Sequence, residues 1–326
     1  MGRYVAPPLQ PPRALRRSES AFARRPLSVT PAEQPATARL PEWARKSGPL
    51  APGARALRVL LRDQKLNTVC EEARCPNLGE CFSRGTATFM LLGDRCTRRC
   101  GYCSVSTAKP LPPDGEEPAR VAEAARRLRL RYVVLTAVAR DDLRDGGATQ
   151  FASTVRAVRS ALPAARVEVL TPDFKGDPRA LAAVLESGPD VFNHNIETVP
   201  RLFPRVRAQG DYARSLRLLE EAKRQLPGQV TKSGLMVGLG EDDREIEAVL
   251  ADLRRSAVDI VTLGQYLRPT REHAPVDRYV PPEGFRRYEE TARALGLGTV
   301  YSGVFVRSSF NAEEVAREHG FSPPPA

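Results

Sequence analysis

The residues best equipped for chemistry are six cysteines, all between positions 70 and 103 of a 326-residue chain. Cys96, Cys100 and Cys103 lie in Cys-Thr-Arg-Arg-Cys-Gly-Tyr-Cys, a C-x3-C-x2-C spacing. A four-iron cubane takes one thiolate per iron. Three cysteines on one short loop reach three corners and leave the fourth iron open to a small molecule. Gly101 is expected to permit a tight turn between ligands. Arg95, Arg98 and Arg99 are expected to favour the thiolates and offset the cluster's charge. Cys100 and Cys103 alone would suit half of a zinc knuckle. That site needs four nitrogen or sulfur ligands, and none of His194, His273 and His319 has knuckle spacing.

Cys70, Cys75 and Cys81 form a second set, C-x4-C-x5-C, with Pro76 and Gly79 shaping the loop. Spacing alone admits three readings: a second iron–sulfur cluster, a zinc site with a distant fourth ligand, or buried structural cysteines. A disulfide framework would join distant parts of the chain. Six thiols crowded into one stretch read instead as metal ligands in a reducing compartment.

Composition narrows the class. Hydrophobic residues make up 41% and charged residues 27%, as in a soluble globular protein. No apolar run approaches the ~20 residues of a membrane span, and no secretory signal pattern opens the chain. A cytoplasmic location is expected. The mitochondrial matrix is the alternative, should the Arg-rich, acid-poor N-terminal arm be a transit peptide. The net charge is +11. Its arginines are spread along the chain without a nucleic-acid motif, so no nucleic-acid partner is expected. An acidic protein partner fits the charge equally well.

The elements that position these residues can be read from periodicity. Residues 1–38, rich in Pro and Arg, are expected to be a disordered arm. Residues 39–85 form an N-terminal extension holding the first cysteine set, and residues 298–326 a C-terminal segment. Between them, over residues 86–297, strands and helices alternate. Strands are expected at 88–92, 132–136, 166–170, 191–195, 231–239 and 260–263. Helices are expected at 116–129, 149–162, 178–186, 212–225, 243–255 and 282–295. Six βα units predict an α/β fold: a partial (β/α)6 TIM-like barrel with N-terminal and C-terminal extensions. In such barrels the functional loops leave the C-terminal strand ends. The Cys96 loop, Arg140-Asp141-Asp142, Pro172-Asp173 and Asn193-His194-Asn195 with Glu197 all fall there.

The three-cysteine loop after the first strand, with an aromatic before its last cysteine, resembles the radical S-adenosylmethionine superfamily. The upstream C-x4-C-x5-C narrows the resemblance to the lipoyl synthase family. It runs on through Gly85-Thr86-Ala87-Thr88-Phe89-Met90, Arg140-Asp141-Asp142-Leu143, Asp145-Gly146-Gly147-Ala148 and Asn193-His194-Asn195-Ile196-Glu197-Thr198. The stretches 231–241, Gly264-Gln265-Tyr266-Leu267, Arg278-Tyr279-Val280 and the tag Arg307-Ser308-Ser309-Phe310 continue it, for coverage of about residues 40–312. Three positions depart from the family pattern: Phe310 where the tag ends in Tyr, Val304-Phe305 in place of Pro-Leu, and Gln150 in place of His.

The resemblance implies two [4Fe-4S] clusters and S-adenosylmethionine as cofactors. The cluster on Cys96, Cys100 and Cys103 would cleave S-adenosylmethionine to a 5′-deoxyadenosyl radical. The auxiliary cluster on Cys70, Cys75 and Cys81 would take Ser309 as fourth ligand, with Ser308 the alternative, and be consumed as sulfur donor. Two sulfurs would enter an octanoyl chain at C6 and C8. The chain would be amide-linked to a lysine of a lipoyl carrier domain: a 2-oxoacid dehydrogenase E2 subunit or the glycine cleavage H protein. Such carriers tend to be acidic. A ferredoxin or flavodoxin-type reductant and an iron–sulfur cluster carrier are implied as further partners. Tyr102 would pack near the adenine, and Thr136, Asn195, Glu197 and Lys232 are the candidates to hold S-adenosylmethionine. A biotin synthase-like or methylthiolating enzyme is the nearest rival; the first cysteine set and the Arg-Ser-Ser tag argue against both.

Overall fold

A computed structural model of the chain describes residues 40–45, 52–83 and 87–320. The arm expected over residues 1–38 lies outside the described residues, as do Gly85 and Thr86. Eight strands form one open sheet in chain order: β1 (Asn67–Thr68), β2 (Thr88–Leu91), β3 (Tyr132–Ala137), β4 (Arg166–Leu170), β5 (Val191–Asn193), β6 (Val230–Val237), β7 (Ile260–Gln265) and β8 (Thr299–Gly303). Only β1 is antiparallel to its neighbour; β2 through β8 are all parallel. The terminal strands β1 and β8 do not pair, so the barrel is partial, as expected.

The helices between the strands are α4 (Glu117–Arg127), α5 (Ala148–Ala161), α6 (Pro178–Glu186), α7 (Phe203–Val206), α8 (Tyr212–Gln225), α9 (Asp243–Arg255) and α10 (Pro282–Ala294). Before them come α1 (Pro52–Asp63), α2 (Val69–Glu72) and α3 (Leu78–Ser83), and after them α11 (Ala312–Glu318). Local chemistry sets their starts. Asp177 and Asp211 accept N-terminal backbone N–H groups of α6 and α8, and Asp242 with Glu245 makes a full capping box on α9.

The six expected strands are all present. The sequence reading missed β8, which pairs in parallel with β7 and carries the sheet past residue 298 into the segment read as an extension. Thr-Val-Tyr-Ser-Gly is short and ends in glycine, so its alternation is weak. In the segment read as an N-terminal extension, α1, β1, α2 and α3 occur.

Alternation along each strand sorts side chains into two sets. Val133, Leu135, Val167 and Val169 join the core shared with the helices. The alternate positions enter the barrel. There Glu168 accepts from Lys232 Nζ at 3.0 and 3.1 Å, from Asn193 Nδ2 at 2.8 Å and from Tyr132 Oη at 2.7 Å. Glu168 and Lys232 are 0% and 1% exposed. The carboxylate survives burial because four donor contacts replace its water.

Strand register puts this cluster one layer below the residues that line the cavity: Asn193 pairs with Lys232, while Gly234 pairs with Thr262 one step further on. Lys232, a candidate for S-adenosylmethionine, is therefore part of the barrel's interior. Replacing Lys232 with Met strands a buried carboxylate and should cost about 3–5 kcal/mol of stability, most of it recovered by adding Glu168→Leu. Denaturant unfolding measures both. A stable Lys232→Met protein that has lost S-adenosylmethionine affinity would return Lys232 to the binding site.

Candidate active site

The Cys96–Cys103 loop leaves β2 and is held from several sides by other strand-end loops. Thr97 N donates to Ala139 O at 3.0 Å, and Gly101 N to Val206 O at 2.8 Å. In turn, Ala274 N donates to Gly101 O at 2.8 Å. His273 Nε2 donates to the Cys103 carbonyl at 3.0 Å. A Cβ on Gly101 would approach the Arg205 carbonyl to 3.1 Å. Its φ is not in the left-handed region, so this glycine serves close approach rather than the tight turn expected of it.

Arg98 is 7% exposed and is engaged through Nε and Nη2. Its guanidinium donates twice to Asp141 at 2.8 Å and once to Asp173 Oδ1 at 2.5 Å. Asp173, 0% exposed, also accepts from Arg214 Nε at 2.8 Å. Burial alone would raise the Asp173 carboxyl. Its hydrogen bond and charge pairing with Arg98, helped by His194 and Arg214, hold it well below the usual carboxylate range. Two arginines thus meet two aspartates, and Arg98 brings little net positive charge to the thiols. Arg95 is likewise paired, with Asp94 at 3.7 Å.

The charge expected of Arg98 comes from elsewhere. Arg207 is buried without a carboxylate ion pair among the described residues. It donates to Asn195 O at 2.7 Å, sits 3.3 Å from His194 Nε2, and lies over the Phe203 ring. Desolvation pushes the Cys100 thiol up to about 11, against the pull of Arg207. Desolvation likewise takes Cys103 to about 12. Burial, reinforced by Cys75 and Cys81, takes Cys70 to about 12. Arg307 faces Cys75 and Glu197. One arginine therefore serves each cysteine set. Neither role was read from the sequence; the signal available for Arg207 was the long loop after β5, where βα connections are usually short.

A cavity of about 440 Å³ opens onto both sets. Cys70, Cys75, Cys96, Cys100, Cys103, Ser308 and Ser309 line it, together with Tyr102, Thr136, Asn195 and Glu197. Lys232 does not. Cys81, on α3, stands outside the lining but acts on Cys70. Thr136 Oγ1 donates to Leu170 O at 2.9 Å, so this hydroxyl also serves the rim. His194, held by Thr171 O and Ser215 Oγ, has its imidazole pushed down to about 3 by burial and by Arg207. It is a neutral structural group at neutral pH. Glu197 has φ +68°, a left-handed backbone that glutamate adopts only when its surroundings impose it. Its N–H and C=O bond Gly234 and Met236, and its carboxyl, raised by desolvation, meets Asn195 and Tyr102. The hydroxyl of Tyr102 thus faces Glu197 and Cys100.

Among the described residues, no three His, Cys, Asp or Glu side chains converge tightly enough for a single metal ion. A cubane makes no such demand, because its thiolates occupy separate corners. Two sets of three cysteines, five of the six lining one cavity and each set with a neighbouring arginine, fit two [4Fe-4S] clusters. Loading must expel protons from Cys70, Cys100 and Cys103.

Comparison with known proteins agrees. Residues 90–253 match the model of the Radical SAM superfamily, and residues 22–75 that of the N-terminal domain of lipoyl synthase. A lipoyl synthase from Thiobacillus denitrificans is 51% identical over 313 residues, covering 96% of this chain and 98% of its own. The chain belongs to the lipoyl synthase family. A lipoyl synthase from Rubrobacter xylanophilus is 54% identical over 274 residues, 84% of this chain and 85% of its own. Among solved structures, HydG, a maturase of the [FeFe]-hydrogenase, shares the fold with TM-score 0.54 at 15% identity, over 81% of this chain and 69% of that one. As a member of the lipoyl synthase family the chain is a radical S-adenosylmethionine enzyme that uses [4Fe-4S] clusters.

One family departure has a visible reason. Gln150 Nε2 donates to Asp114 O at 2.9 Å and to Glu117 at 2.7 Å, and Glu117 accepts the Leu92 N–H just before the cysteine loop. An amide supplies the donor that an imidazole would.

Asp173→Asn removes the anion shared by Arg98 and Arg214 and should cost on the order of 3 kcal/mol. The folded carboxyl lies below its unfolded value. Its contribution is therefore complete above the ordinary carboxylate range and is lost as pH falls toward the folded value. Unfolding curves from pH 7 to pH 3 should show wild type losing its advantage over Asp173→Asn in acid; a constant gap contradicts the pairing.

Proposed function

We propose that the chain inserts two sulfur atoms, at C6 and C8, into an octanoyl chain amide-linked to a lysine of a lipoyl carrier domain. Candidate carriers are the E2 subunits of 2-oxoacid dehydrogenases and the glycine cleavage H protein. The observation that carries this reading is one cavity lined by thiols of both cysteine sets and by both tag serines. A hydrogen-abstracting reagent made at one set and sulfur held at the other must act on the same carbon, and a shared cavity supports that. When bound, S-adenosylmethionine and the two clusters supply the electron, the hydrogen abstraction and the sulfur.

The chain's own residues hold and exclude. Cys96, Cys100 and Cys103 bind one cluster, and Cys70, Cys75 and Cys81 the other. Ser309 makes no hydrogen bond among the described residues, whereas the Ser308 hydroxyl is committed to Asn195. Ser309 is thus the serine free to bind iron, and an oxygen corner is weaker than a thiolate one. Met90, Leu170, Leu235 and Met236 give the cavity alkyl walls suited to an octanoyl chain and to keeping water from a radical. Thr136, Asn195 and Glu197 remain proposed contacts of S-adenosylmethionine, with Tyr102 beside them. Arg74 is exposed, lines the cavity and has no carboxylate partner among the described residues. With the net charge of +11 it suits an acidic carrier. A ferredoxin or flavodoxin-type donor and an iron–sulfur cluster carrier complete the proposed partners.

Anaerobic iron and acid-labile sulfide analysis should give about eight irons for wild type and about four for Cys70→Ala with Cys75→Ala. Wild type alone should then convert an octanoyl-lysine peptide to the doubly sulfurated product by mass. Four irons in both proteins, or S-adenosylmethionine cleavage with an unaltered peptide, would defeat the proposal. Salt offers a separate check. With a whole carrier domain kcat/KM should fall as salt rises at constant iron content, while with a short neutral octanoyl peptide it should stay level.

A further inference from the structure

A short run of polar contacts joins the two halves of the cavity. Ser308 Oγ donates to Asn195 Oδ1 at 2.7 Å, across 113 positions of sequence. Asn195 Nδ2 donates to Glu197 Oε1 at 3.1 Å. Glu197 in turn meets Tyr102 of the cysteine loop. The Asn195 amide is therefore oriented from both ends, its oxygen toward the tag and its nitrogen toward Glu197. Gly234 makes room for the bond. A Cβ there would fall 2.5 Å from Ser308 Oγ, 2.7 Å from Asn195 Oδ1 and 3.0 Å from Thr262 Oγ1. The φ of Gly234 is ordinary, so space and not backbone conformation is what glycine provides.

We propose that Ser308 is a positioning residue that couples the S-adenosylmethionine side of the cavity to the tag that carries Ser309. Its hydroxyl fixes the Asn195 amide on one side and seats the neighbouring Ser309 on the other. The proposal rests on the reading of Asn195 and Glu197 as S-adenosylmethionine contacts and of Ser309 as an iron ligand. Coupling of this kind is reciprocal. Filling the S-adenosylmethionine side steadies the tag, and a tag displaced from its seat weakens S-adenosylmethionine binding by the same factor. One net hydrogen bond corresponds to about fivefold. Affinity for S-adenosylmethionine then depends on whether the auxiliary site is intact.

Two variants break the contact by different routes. Ser308→Ala removes the donor, and Gly234→Ala keeps both partners but forces them apart. The reconstituted holo-protein is used throughout, with iron analysis, equilibrium dialysis of S-adenosylmethionine, and hydrogen exchange of the 304–311 peptide with and without saturating S-adenosylmethionine. In wild type the ligand should slow exchange of that peptide. In both variants iron should stay at about eight, the ligand effect on exchange should vanish, and the dissociation constant should rise about fivefold. Exchange that responds to the ligand in the variants as in wild type overturns the coupling. So does loss of iron from Ser308→Ala with affinity unchanged, which would make Ser308 itself the ligand. Ser309→Ala separates the underlying reading: retention of about eight irons there removes the ligand assignment of Ser309, while the exchange result still judges the Ser308 contact.

Discussion

Asp173 sits without solvent contact between the guanidinium of Arg98, inside the cysteine loop, and that of Arg214, at the start of α8. A charge so placed is tolerable only while both partners remain. Because Arg98 also grips Asp141, the cysteine loop is pinned to the ends of β3 and β4 by charge-assisted bonds rather than by metal. Its backbone is tied to Ala139, Val206 and Ala274 besides. The loop that must present three thiols is thus organised before iron arrives, and a preformed site loses less conformational freedom on loading.

The pinning has an electrostatic side. Arg98 is neutralised by the contacts that fix it, so it does little to ionise the thiols. Cys100 and Cys103 sit in a dry setting that favours their protonated forms. Arg207 and Arg307 are different: their hydrogen bonds go to carbonyls and neutral groups, leaving charge to act on Cys100 and on Cys75. Positioning and charge compensation are divided among different arginines.

Much of this was legible in the sequence. Six strands announced themselves as apolar runs followed by amphipathic helices, and the Cys96 set could be named from its spacing; the reading of the first cysteine set and of the serine tag came from the family resemblance. What was not legible depends on contacts between distant positions. Nothing local distinguishes Lys232, at the interior of the barrel, from a lysine at its rim; the difference is the two-residue period that sets which layer it enters. Strand β8 was lost because five residues ending in glycine carry little pattern, and without it the tag looks like an appendage rather than the continuation of the sheet. Arg98 was read by its charge, and only the fold reveals the two aspartates that consume it. The Ser308–Asn195 bond joins residues 113 positions apart and has no sequence signature.

Asn77, between the second and third cysteines of the first set, is 0% exposed and donates through Nδ2 to the Phe305 carbonyl at 2.7 Å. These residues are 228 positions apart. A ribosome delivers all six cysteines before it makes any of residues 305–309. The Asp141 and Asp173 anchors of the Cys96 loop lie close to it in sequence, whereas the Phe305 contact of the first cysteine set lies 228 positions away. The far wall of the first cysteine set is therefore synthesised later than every cysteine of either set.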